Sequence, residues 1–296
     1  MDLVFVGSAT YDLLGQVEGV LRSEGHHQLS RWGFGFGGKA PNAAAYSAHA
    51  GARTAYVGVV GSDFESSGHK AYLQGLGVEV EGVYRSARKT PLFVSLGHSG
   101  VLCTLGAGIE VIEEDRQRLR RHFVQQTLGR KPWALYCSML DSGLIAEVFA
   151  AARQTGIRAA WNPLCLDVDD ENLARLLDAT DYLFMNEEES RLLQTGLGAA
   201  TCALVKRYGL SCAATTLGEG GALIELPGQA IEISAPAVGE AIDSTGAGDA
   251  FAGTFLAVLA RKGPQAVEEA ADRAVRTASR VVTRLGAEIP APRPAT

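Results

Sequence analysis

Apolar and polar positions along the chain follow two alternating patterns. Short apolar runs that end in Gly or Asn predict β-strands at residues 3–7, 54–61, 133–139, 157–162, 182–186, 212–218 and 221–226. Between them, apolar residues recur about every 3.6 positions, which predicts helices over residues 42–51, 144–156, 187–196, 199–209, 248–262 and 265–285. Because continuously apolar strands alternate with helices, the pattern predicts a mostly parallel sheet covered by helices on both faces.

Two segments, residues 11–36 and 84–105, interrupt this alternation with strand patterns of period two. The second contains TPLFVSLGHSGVLCTLG, with a predicted turn at residues 98–100. We expect the two segments to form a small separate sheet. Ligands of open α/β folds bind at the carboxyl ends of the strands, so a sheet over that edge would act as a lid. Its open edges and an apolar face predict a homodimer joined through the lids, with Leu92, Val94 and Leu96 on that face.

Composition narrows the class of protein. The 296 residues are 47% hydrophobic, enough for one large α/β domain with an appendage or for two domains. The net charge of −6 argues against a general nucleic-acid binder. The five cysteines form no CxxC pair, which indicates reduced thiols in a cytoplasmic protein. The first residues, MDLVFVGSATYDLL, read as a β-strand, and no apolar stretch approaches the length of a membrane span.

The stretch GFGFGGKA, residues 33–40, has the glycine spacing of two nucleotide-binding motifs. As a P-loop it fails at Ala40, which has no hydroxyl group for magnesium. As the dinucleotide-binding turn of an NAD-dependent oxidoreductase, it lacks a buried strand directly before it. We therefore interpret its glycines as positions where the backbone approaches a ligand closely.

Candidate metal ligands are few in this sequence. The six histidines show no metal-binding spacing. Asn186 and Glu189 follow the predicted strand 182–186. They suit the cap and first turn of an ordinary helix, and they also suit a magnesium site in which water molecules lie between the side chains and the ion. Their spacing alone does not choose between the two interpretations.

A second glycine-rich stretch, AIDSTGAGDAFAGTF at residues 241–255, opens a predicted helix. Such turns often bind phosphate, because free amides and the helix dipole favour an anion there. Asp249 stands at the same point, although a carboxylate repels phosphate. Either the loop is only a turn, or the aspartate acts on something beside the phosphate.

Five stretches together resemble the signatures of the ribokinase-like, PfkB-type carbohydrate kinases. They are VGSATYD (6–12), GGKAPNAAAYSAHAGARTAYVGVVGSD (37–63), NEEE (186–189), TLGEGGAL (216–223) and DSTGAGDAFAGTF (243–255). They follow the family's order and span almost the whole chain. The resemblance implies one kinase domain over residues 1–296, built as a three-layer α/β/α sandwich with a mostly parallel central sheet and a small β-sheet lid at about 11–36 and 84–105.

The resemblance also assigns a role to the second glycine-rich stretch. The amides of Gly246, Ala247 and Gly248 would form an anion hole for charge that develops on the transferred phosphoryl group. Asp249 would be the general base, which takes the proton from the acceptor hydroxyl group as its oxygen attacks the γ-phosphorus of ATP. The acid would thus face the nucleophile, and the amides would face the phosphate.

The same resemblance implies the other ligands and their residues. Mg²⁺ would be held through water by Asn186 and Glu189. Sugar hydroxyl groups would be held by Asp12, Gly38, Lys39 and Asn42. The alternative roles are a turn cap for Asp12, a helix N-cap for Asn42 and a solvated surface charge for Lys39. Thr216 and Gly218 would line the ATP phosphates, with Thr277 and Ser279 near the adenine. A potassium ion would be bound by Asp243 and Thr245 and by the backbone around Val281, Arg284 and Gly286, where Pro290 replaces a serine of some relatives.

These features predict a cytoplasmic, ATP-dependent kinase of a small sugar, of the ribokinase or fructokinase type, that binds neither nucleic acid nor membranes. A nucleoside kinase is the alternative, with Trp32, Phe34 and Phe36 as residues that could stack on a base. A sugar-phosphate kinase would require basic residues near the acceptor, and the one tight group is Arg85, Arg88 and Lys89. From other classes, an NAD-dependent oxidoreductase and an inactive sugar-binding protein stay open.

Overall fold

The computed structural model describes residues 1–17, 26, 28–98, 101–106, 113–138, 141–163 and 166–289. In chain order, its strands are β1 (Leu3–Gly7), β2 (Thr10–Val17), β3 (Leu29–Gly37), β4 (Thr54–Tyr56), β5 (Val59–Val60), β6 (Tyr84–Arg85), β7 (Leu92–His98), β8 (Val101–Gly106), β9 (Ala134–Ser138), β10 (Arg158–Trp161), β11 (Tyr182–Asn186), β12 (Cys212–Thr216), β13 (Ala222–Leu226) and β14 (Gln229–Ile233). Its helices are α1 (Lys39–His49), α2 (His69–Gly75), α3 (Glu113–Arg130), α4 (Ser142–Gln154), α5 (Leu173–Ala179), α6 (Glu187–Leu197), α7 (Thr201–Tyr208), α8 (Ala247–Lys262) and α9 (Val267–Val281). Two 3-10 turns lie at Gly218–Gly220 and Pro264–Ala266.

The central sheet has eight strands in the order β14-β13-β12-β11-β10-β9-β1-β4. The strands from β4 to β12 in this order pair in parallel, while β13 and β14 add antiparallel pairs at one edge. The mostly parallel sheet predicted from the apolar runs is therefore confirmed.

Two apolar cores lie on the two faces of this sheet. Successive side chains of a strand point to opposite faces, so Leu3 and Phe5 of β1 enter one core and Val4 and Val6 enter the other. The first core is closed mainly by α1, α8 and α9, and the second by α3 to α7. This arrangement is the three-layer sandwich that the sequence implied.

A separate four-stranded sheet has the order β3-β2-β7-β8. Its two inner strands, β2 and β7, pair in parallel, and the two outer pairs are antiparallel. These strands come from the two segments that broke the helix-strand alternation, so the small separate sheet is confirmed. The predicted turn between β7 and β8 includes residues 99 and 100, which lie outside the described residues.

Several elements differ from the sequence prediction. The strand predicted at 54–61 is interrupted, because its second part pairs with β6 as β5 rather than with β1. Gly58 lies at the interruption, and a Cβ there would come within 1.8 Å of the carbonyl oxygen of Gly7. Helices α2, α3 and α5 and the edge strand β14 were not predicted. The last predicted helix ends at Val281 rather than 285.

Candidate active site

The carboxyl ends of β10, β11 and β12 lie at one edge of the central sheet. β10 is followed by Asn162, β11 ends at Asn186 and β12 ends at Thr216. Because these strands are parallel neighbours, their carboxyl ends meet at the same edge. Candidate residues far apart in sequence are thereby brought together.

Asp249 lies in the first turn of α8 and is buried, with 7% of its surface exposed. Its Oδ2 accepts a hydrogen bond of 3.0 Å from the side-chain amide of Asn42, in the first turn of α1. The two helices approach closely because a glycine faces the neighbouring backbone. A Cβ on Gly253 would lie 2.1 Å from the carbonyl oxygen of Ala43. This crossing holds Asn42 and Asp249 side by side.

Burial raises the pKa of Asp249 to about 6. The positive charge of Lys39 and the hydrogen bond from Asn42 oppose that rise, and the carboxylate of Glu189 adds to it. A carboxyl group with such a pKa is ionised at neutral pH but binds a proton more readily than an exposed aspartate. These are the properties that a general base requires.

The loop before α8 turns at Gly246. This residue has a φ of +79°, and a Cβ there would lie 2.2 Å from the Cβ of Ala287. The amide of Ala247 donates to the carbonyl oxygen of Ser244 at 3.1 Å. Among the described residues, no acceptor pairs with the amides of Gly246 and Gly248. Two of the three amides expected in the anion hole are therefore free at the helix N-terminus.

Asp243, at the start of the same loop, is bound by the chain itself. Its Oδ1 accepts hydrogen bonds from the backbone N–H of Thr245 at 2.9 Å and from the hydroxyl group of the same residue at 2.7 Å. Its Oδ2 accepts from the backbone N–H of Gly286 at 2.8 Å. The carboxylate therefore ties the loop to the chain that follows α9.

The other residues implied for a potassium ion lie in the same region. The backbone N–H of Asp243 donates to the carbonyl oxygen of Val282 at 3.2 Å, next to Val281. The carbonyl oxygen of Val281 accepts from the N–H of Arg284, also at 3.2 Å, and the guanidinium group of Arg284 donates to the hydroxyl group of Tyr46. Pro290 lies outside the described residues.

Lys39, the first residue of α1, is held by groups at the sheet edge. Its Nζ donates hydrogen bonds of 2.8 Å to Oδ1 of Asn162 and to the carbonyl oxygen of Pro163. It also lies 3.5 Å from Oε1 of Glu189. The side chain is therefore not a solvated surface charge. The sequence did not identify Asn162 or Pro163, and the one signal was that the strand 157–162 ends in Asn.

Gly38, directly before α1, has a φ of +104°. A Cβ at this position would lie 2.3 Å from the carbonyl oxygen of Ser8, just after β1. Only a glycine allows the two chain segments to approach this closely. The start of α1, with Lys39 and Asn42, is thereby set against the carboxyl end of β1.

Asn186 and Glu189 form a complete capping box at the start of α6. The N–H of Glu189 donates to Oδ1 of Asn186 at 2.7 Å, and the N–H of Asn186 donates to Oε2 of Glu189 at 2.9 Å. The structural interpretation of this pair is therefore correct. The remaining oxygen of the carboxylate points towards Lys39, so the pair also belongs to the polar cluster at the sheet edge.

Asp12 lies on β2, in the small sheet, and is 4% exposed. Its Oδ1 accepts a hydrogen bond of 2.7 Å from the hydroxyl group of Thr10. Burial raises the pKa of Asp12 to about 6; this hydrogen bond opposes the rise, and the carboxylates of Asp249, Asp243 and Glu288 add to it. The small sheet therefore brings a second carboxyl group near Asp249.

The aromatic residues of β3 lie on the face opposite to Asp12. Along β3 and β2, Phe36 pairs with Tyr11 and Gly35 pairs with Asp12, so the aromatic ring and the carboxylate point to opposite sides. Trp32 and Phe34 share the outer face and are 61% and 70% exposed. Phe36 stacks on His69 of α2, with ring centroids 4.8 Å apart. These rings are not placed to stack on a base bound beside Asp12.

The residues implied for ATP lie on three different elements. The hydroxyl group of Thr216 donates to the carbonyl oxygen of Met185 at 3.3 Å, and Gly218 opens the 3-10 turn after β12 with a φ of +57°. Thr277 and Ser279 are half-buried on α9, and the hydroxyl group of Thr277 donates to the carbonyl oxygen of Arg273. No described contact joins these two residues to Thr216 or Gly218.

The described ranges contain neither a direct metal cluster nor a membrane span. No group of three or more His, Cys, Asp or Glu side chains there could hold a metal ion directly. No described helix is both long and apolar enough to cross a membrane. Cys137, Cys202 and Cys212 are free thiols, and the first and last of them are buried.

Comparisons with known proteins match both the sequence and the fold of this chain. A family model described as pfkB family carbohydrate kinase matches residues 1–294. The chain is 25% identical over 231 residues to a nucleoside kinase of Methanocaldococcus jannaschii, covering 76% of this chain and 72% of the relative. It is 27% identical to a deoxyribokinase of Salmonella typhi over an alignment of 308 positions, covering 97% and 94%. Its fold matches a ribokinase from Giardia lamblia with a TM-score of 0.79 at 23% identity, covering 97% of this chain and 96% of the other.

Proposed function

This chain belongs to the pfkB family of carbohydrate kinases and is an ATP-dependent carbohydrate kinase, and we propose that its acceptor is a hydroxyl group of a small sugar. The observation that carries the proposal is the buried Asp249 at the N-terminus of α8, with Asn42 on one side and free amides on the other. The relatives include a deoxyribokinase and a nucleoside kinase, so the comparisons leave the acceptor open. Membership of this family argues against the NAD-dependent oxidoreductase.

Asp249 is proposed as the general base. Its carboxylate takes the proton from the acceptor hydroxyl group while the hydroxyl oxygen attacks the γ-phosphorus of ATP, and the bond from that phosphorus to the β,γ-bridging oxygen breaks so that ADP leaves. Asn42 donates to one carboxylate oxygen and thereby orients the other. The amides of Gly246 and Gly248, together with that of Ala247 once it leaves Ser244, stabilise the charge that develops on the phosphoryl oxygens. In this proposal the carboxylate acts on the acceptor hydroxyl group and the amides act on the phosphoryl group, which accounts for an acid beside an anion site.

The proposed acceptor residues are Asp12, Gly38, Lys39 and Asn42. Lys39 now donates to Asn162 and Pro163 and lies near Glu189, so a sugar hydroxyl group must replace one of these contacts or accept from the remaining proton. Asp12 has one oxygen bound by Thr10. Its other oxygen supports hydrogen bonding to a sugar hydroxyl group.

Asn186 and Glu189 are proposed to hold Mg²⁺ through water. Their oxygens suit a hard cation that keeps several of its waters, and they lie at the sheet edge beside Lys39. When bound with ATP, the ion neutralises part of the phosphate charge. The capping box sets the orientation of both side chains before any ion arrives. Thr216 and Gly218 are proposed to line the ATP phosphates, and Thr277 and Ser279 the adenine.

A potassium ion beside the anion hole is proposed at Asp243 and Thr245, with the backbone of Val281, Arg284 and Gly286. A carboxylate has about four lone-pair positions, and the described hydrogen bonds to Asp243 use three, so one is left for a cation. Such an ion would stabilise the loop and add positive potential near the anion hole.

The outer face of the small sheet supports a homodimer. Trp32, Phe34 and Leu92 are exposed there, and exposed aromatic groups of this size are usually covered by a partner. Sedimentation at micromolar concentration tests the proposal, and a fully active monomer contradicts it.

The buried free thiols of Cys137 and Cys212 suit a reducing compartment, in line with the proposed cytoplasmic location.

The experiment that tests the function is an acceptor panel with ATP. Pentoses, hexoses, keto acids and nucleosides are each mixed with ATP and Mg²⁺, and both ADP and the phosphorylated product are measured. We expect phosphorylation of at least one free sugar. Phosphorylation of nucleosides alone would support the nucleoside kinase, and acceptor binding without ADP formation would support an inactive sugar-binding protein.

A further inference from the structure

Three alternating glycines form the inner face of β3. Gly33, Gly35 and Gly37 point to the same side as Asp12, because residues of a strand alternate and Asp12 pairs with Gly35. Each glycine is covered by a side chain from elsewhere. A Cβ at these positions would lie 3.5 Å from Cδ2 of Leu285, 3.1 Å from Oε1 of Glu288 and 2.0 Å from Oδ2 of Asp12, respectively. The absence of side chains at Gly35 and Gly37 thus makes room for two carboxylates.

Glu288 is held firmly at this place. Its Oε1 accepts a hydrogen bond of 2.8 Å from the backbone N–H of Phe36, on the open edge of β3. The residues on either side are also bound, since the hydroxyl group of Tyr46 donates to the carbonyl oxygen of Ala287 and the N–H of Ile289 donates to the hydroxyl group of Tyr72. Glu288 is half-buried and therefore differs from a freely moving surface acid.

We propose that Glu288 is a second carboxylate of the acceptor site, and that it selects acceptors by charge. One oxygen is bound by Phe36, and the other accepts a hydrogen bond from a hydroxyl or ammonium group of the acceptor. Gly35 and Gly37 are about 6.6 Å apart along β3, and the carboxylates of Glu288 and Asp12 cover them from the same side, so both can accept hydrogen bonds from hydroxyl groups of one acceptor. This inference rests on the proposed function, since it places the acceptor beside Asp12.

The charges around the proposed acceptor position support this role. Asp12, Glu288 and Asp249 contribute carboxylates, and the carboxylate of Glu288 adds to the rise in the pKa of Asp12, although less than burial, Asp249 and Asp243 do. Of the cations in this region, Lys39 is already engaged with Glu189, Asn162 and Pro163, and the guanidinium group of Arg284 donates to the hydroxyl group of Tyr46. A neutral sugar or an amino sugar therefore fits this site, whereas a sugar phosphate or a sugar acid is repelled.

The variant Glu288→Gln tests the proposal without removing the contact to Phe36. The amide oxygen can still accept from that N–H, but the negative charge is lost and a donor replaces the free oxygen. Binding of ribose, fructose, inosine, glucosamine, ribose 5-phosphate and fructose 6-phosphate is measured by calorimetry without ATP, and KM and kcat are measured with ATP. For the best neutral acceptor we expect Kd and KM to rise about tenfold, as for loss of a hydrogen bond to a charged group, with kcat nearly unchanged.

Selectivity separates this role from a structural one. In Glu288→Gln the preference for neutral over phosphorylated acceptors should fall by about tenfold, and glucosamine should lose more affinity than a neutral hexose. Glu232→Gln, the same change at an exposed position of β14, is the matched control and should alter none of these values. Unchanged affinity and preference in Glu288→Gln, or an equal loss for every acceptor, overturns the proposal.

The binding measurement also separates this inference from the proposed function. A wild-type protein that binds a neutral sugar but transfers no phosphoryl group contradicts the proposed function, while the comparison with Glu288→Gln still decides the role of Glu288. A wild-type protein that binds phosphorylated acceptors as tightly as their neutral forms contradicts the inference even when catalysis proceeds. Failure to bind any neutral acceptor of the panel contradicts the inference as well.

Discussion

Asp243 and Asp249 lie at the two ends of one loop, but they differ in burial and in the number of hydrogen bonds that they accept. Asp243 is half-buried and accepts three hydrogen bonds, two from Thr245 and one from Gly286. Asp249 is buried and accepts one, from Asn42, and burial raises its pKa to about 6. The chain occupies three of the about four lone-pair positions of the first carboxylate, whereas the second keeps a whole oxygen for chemistry. A count of acids in the sequence does not distinguish these roles, but the number of donors around each carboxylate does.

The largest expected effect is on turnover in Asp249→Asn. The amide cannot take a proton from the acceptor, so kcat should fall about 10²–10⁴-fold while acceptor binding is nearly unchanged. Asp243→Asn is the matched change at the other end of the loop and should lower kcat far less. Steady-state rates and calorimetry measure the difference. Equal losses in the two variants, or an Asp249→Asn enzyme that keeps more than about a tenth of its turnover, would contradict the assigned base.

Asp249→Asn should also stabilise the protein above pH 6. The folded-state pKa is raised to about 6 from the unfolded value of 3.8, so the unfolded chain releases this proton first, and the cost to stability builds up between about pH 4 and pH 6 and is constant above that. The cost is absent only well below pH 3.8, where both states are protonated; it is still small at pH 4 and is about 3 kcal/mol at pH 8. Thermal unfolding of wild type and variant at pH 4 and pH 8 measures it. A variant less stable than wild type at pH 8 would show that burial of the charge is not costly.

Gly246→Ala tests the turn between the two aspartates. An alanine at a φ of +79° costs about 1–2 kcal/mol, and contact with Ala287 adds about 1–3 kcal/mol of overpacking. Gly198→Ala is the control, since Gly198 has a φ of +62° but a Cβ there would meet no atom within 4 Å, so only the backbone cost applies. Denaturant unfolding should show a larger loss for Gly246→Ala. Equal losses of stability in the two variants would mean that the segment 285–289 moves to accommodate the added methyl group at little cost.

The smallest expected effects concern Asp243. In Asp243→Asn an amide donor faces the N–H of Gly286 or Thr245, so about 1–2 kcal/mol of stability should be lost. Wild-type initial rates should be up to about tenfold higher in potassium chloride than in sodium or tetramethylammonium chloride at equal ionic strength, and the variant should lose this difference. Identical wild-type rates in all three salts would exclude the cation site.

The strand-helix alternation along the chain predicts much of the fold. Continuously apolar runs such as residues 3–7 and 182–186 require burial on both faces, and this requirement leads to a parallel sheet between helices. Short or polar elements were missed: α2 has seven residues, and α3 carries many charged side chains. The strand predicted at 54–61 is divided into β4 and β5, because the pairing of β5 with β6 is a non-local interaction that no local pattern records.

The sequence by itself determined the family, the mostly parallel sheet with a small separate one, and the loop at residues 243–249, because local spacing and chemistry encode strand, turn and helix start. Only the tertiary structure decided which groups meet. More than a hundred residues separate Lys39 from Asn162, and likewise Asp12 from Glu288. The order of the strands and the crossing of the helices bring the members of each pair together. It also showed that the aromatic residues of β3 face away from Asp12, because the register between β3 and β2 decides which side chains of β3 share a face with Asp12. Burial, which raises the pKa of Asp249, is likewise a property of the assembled layers and not of its neighbours in sequence.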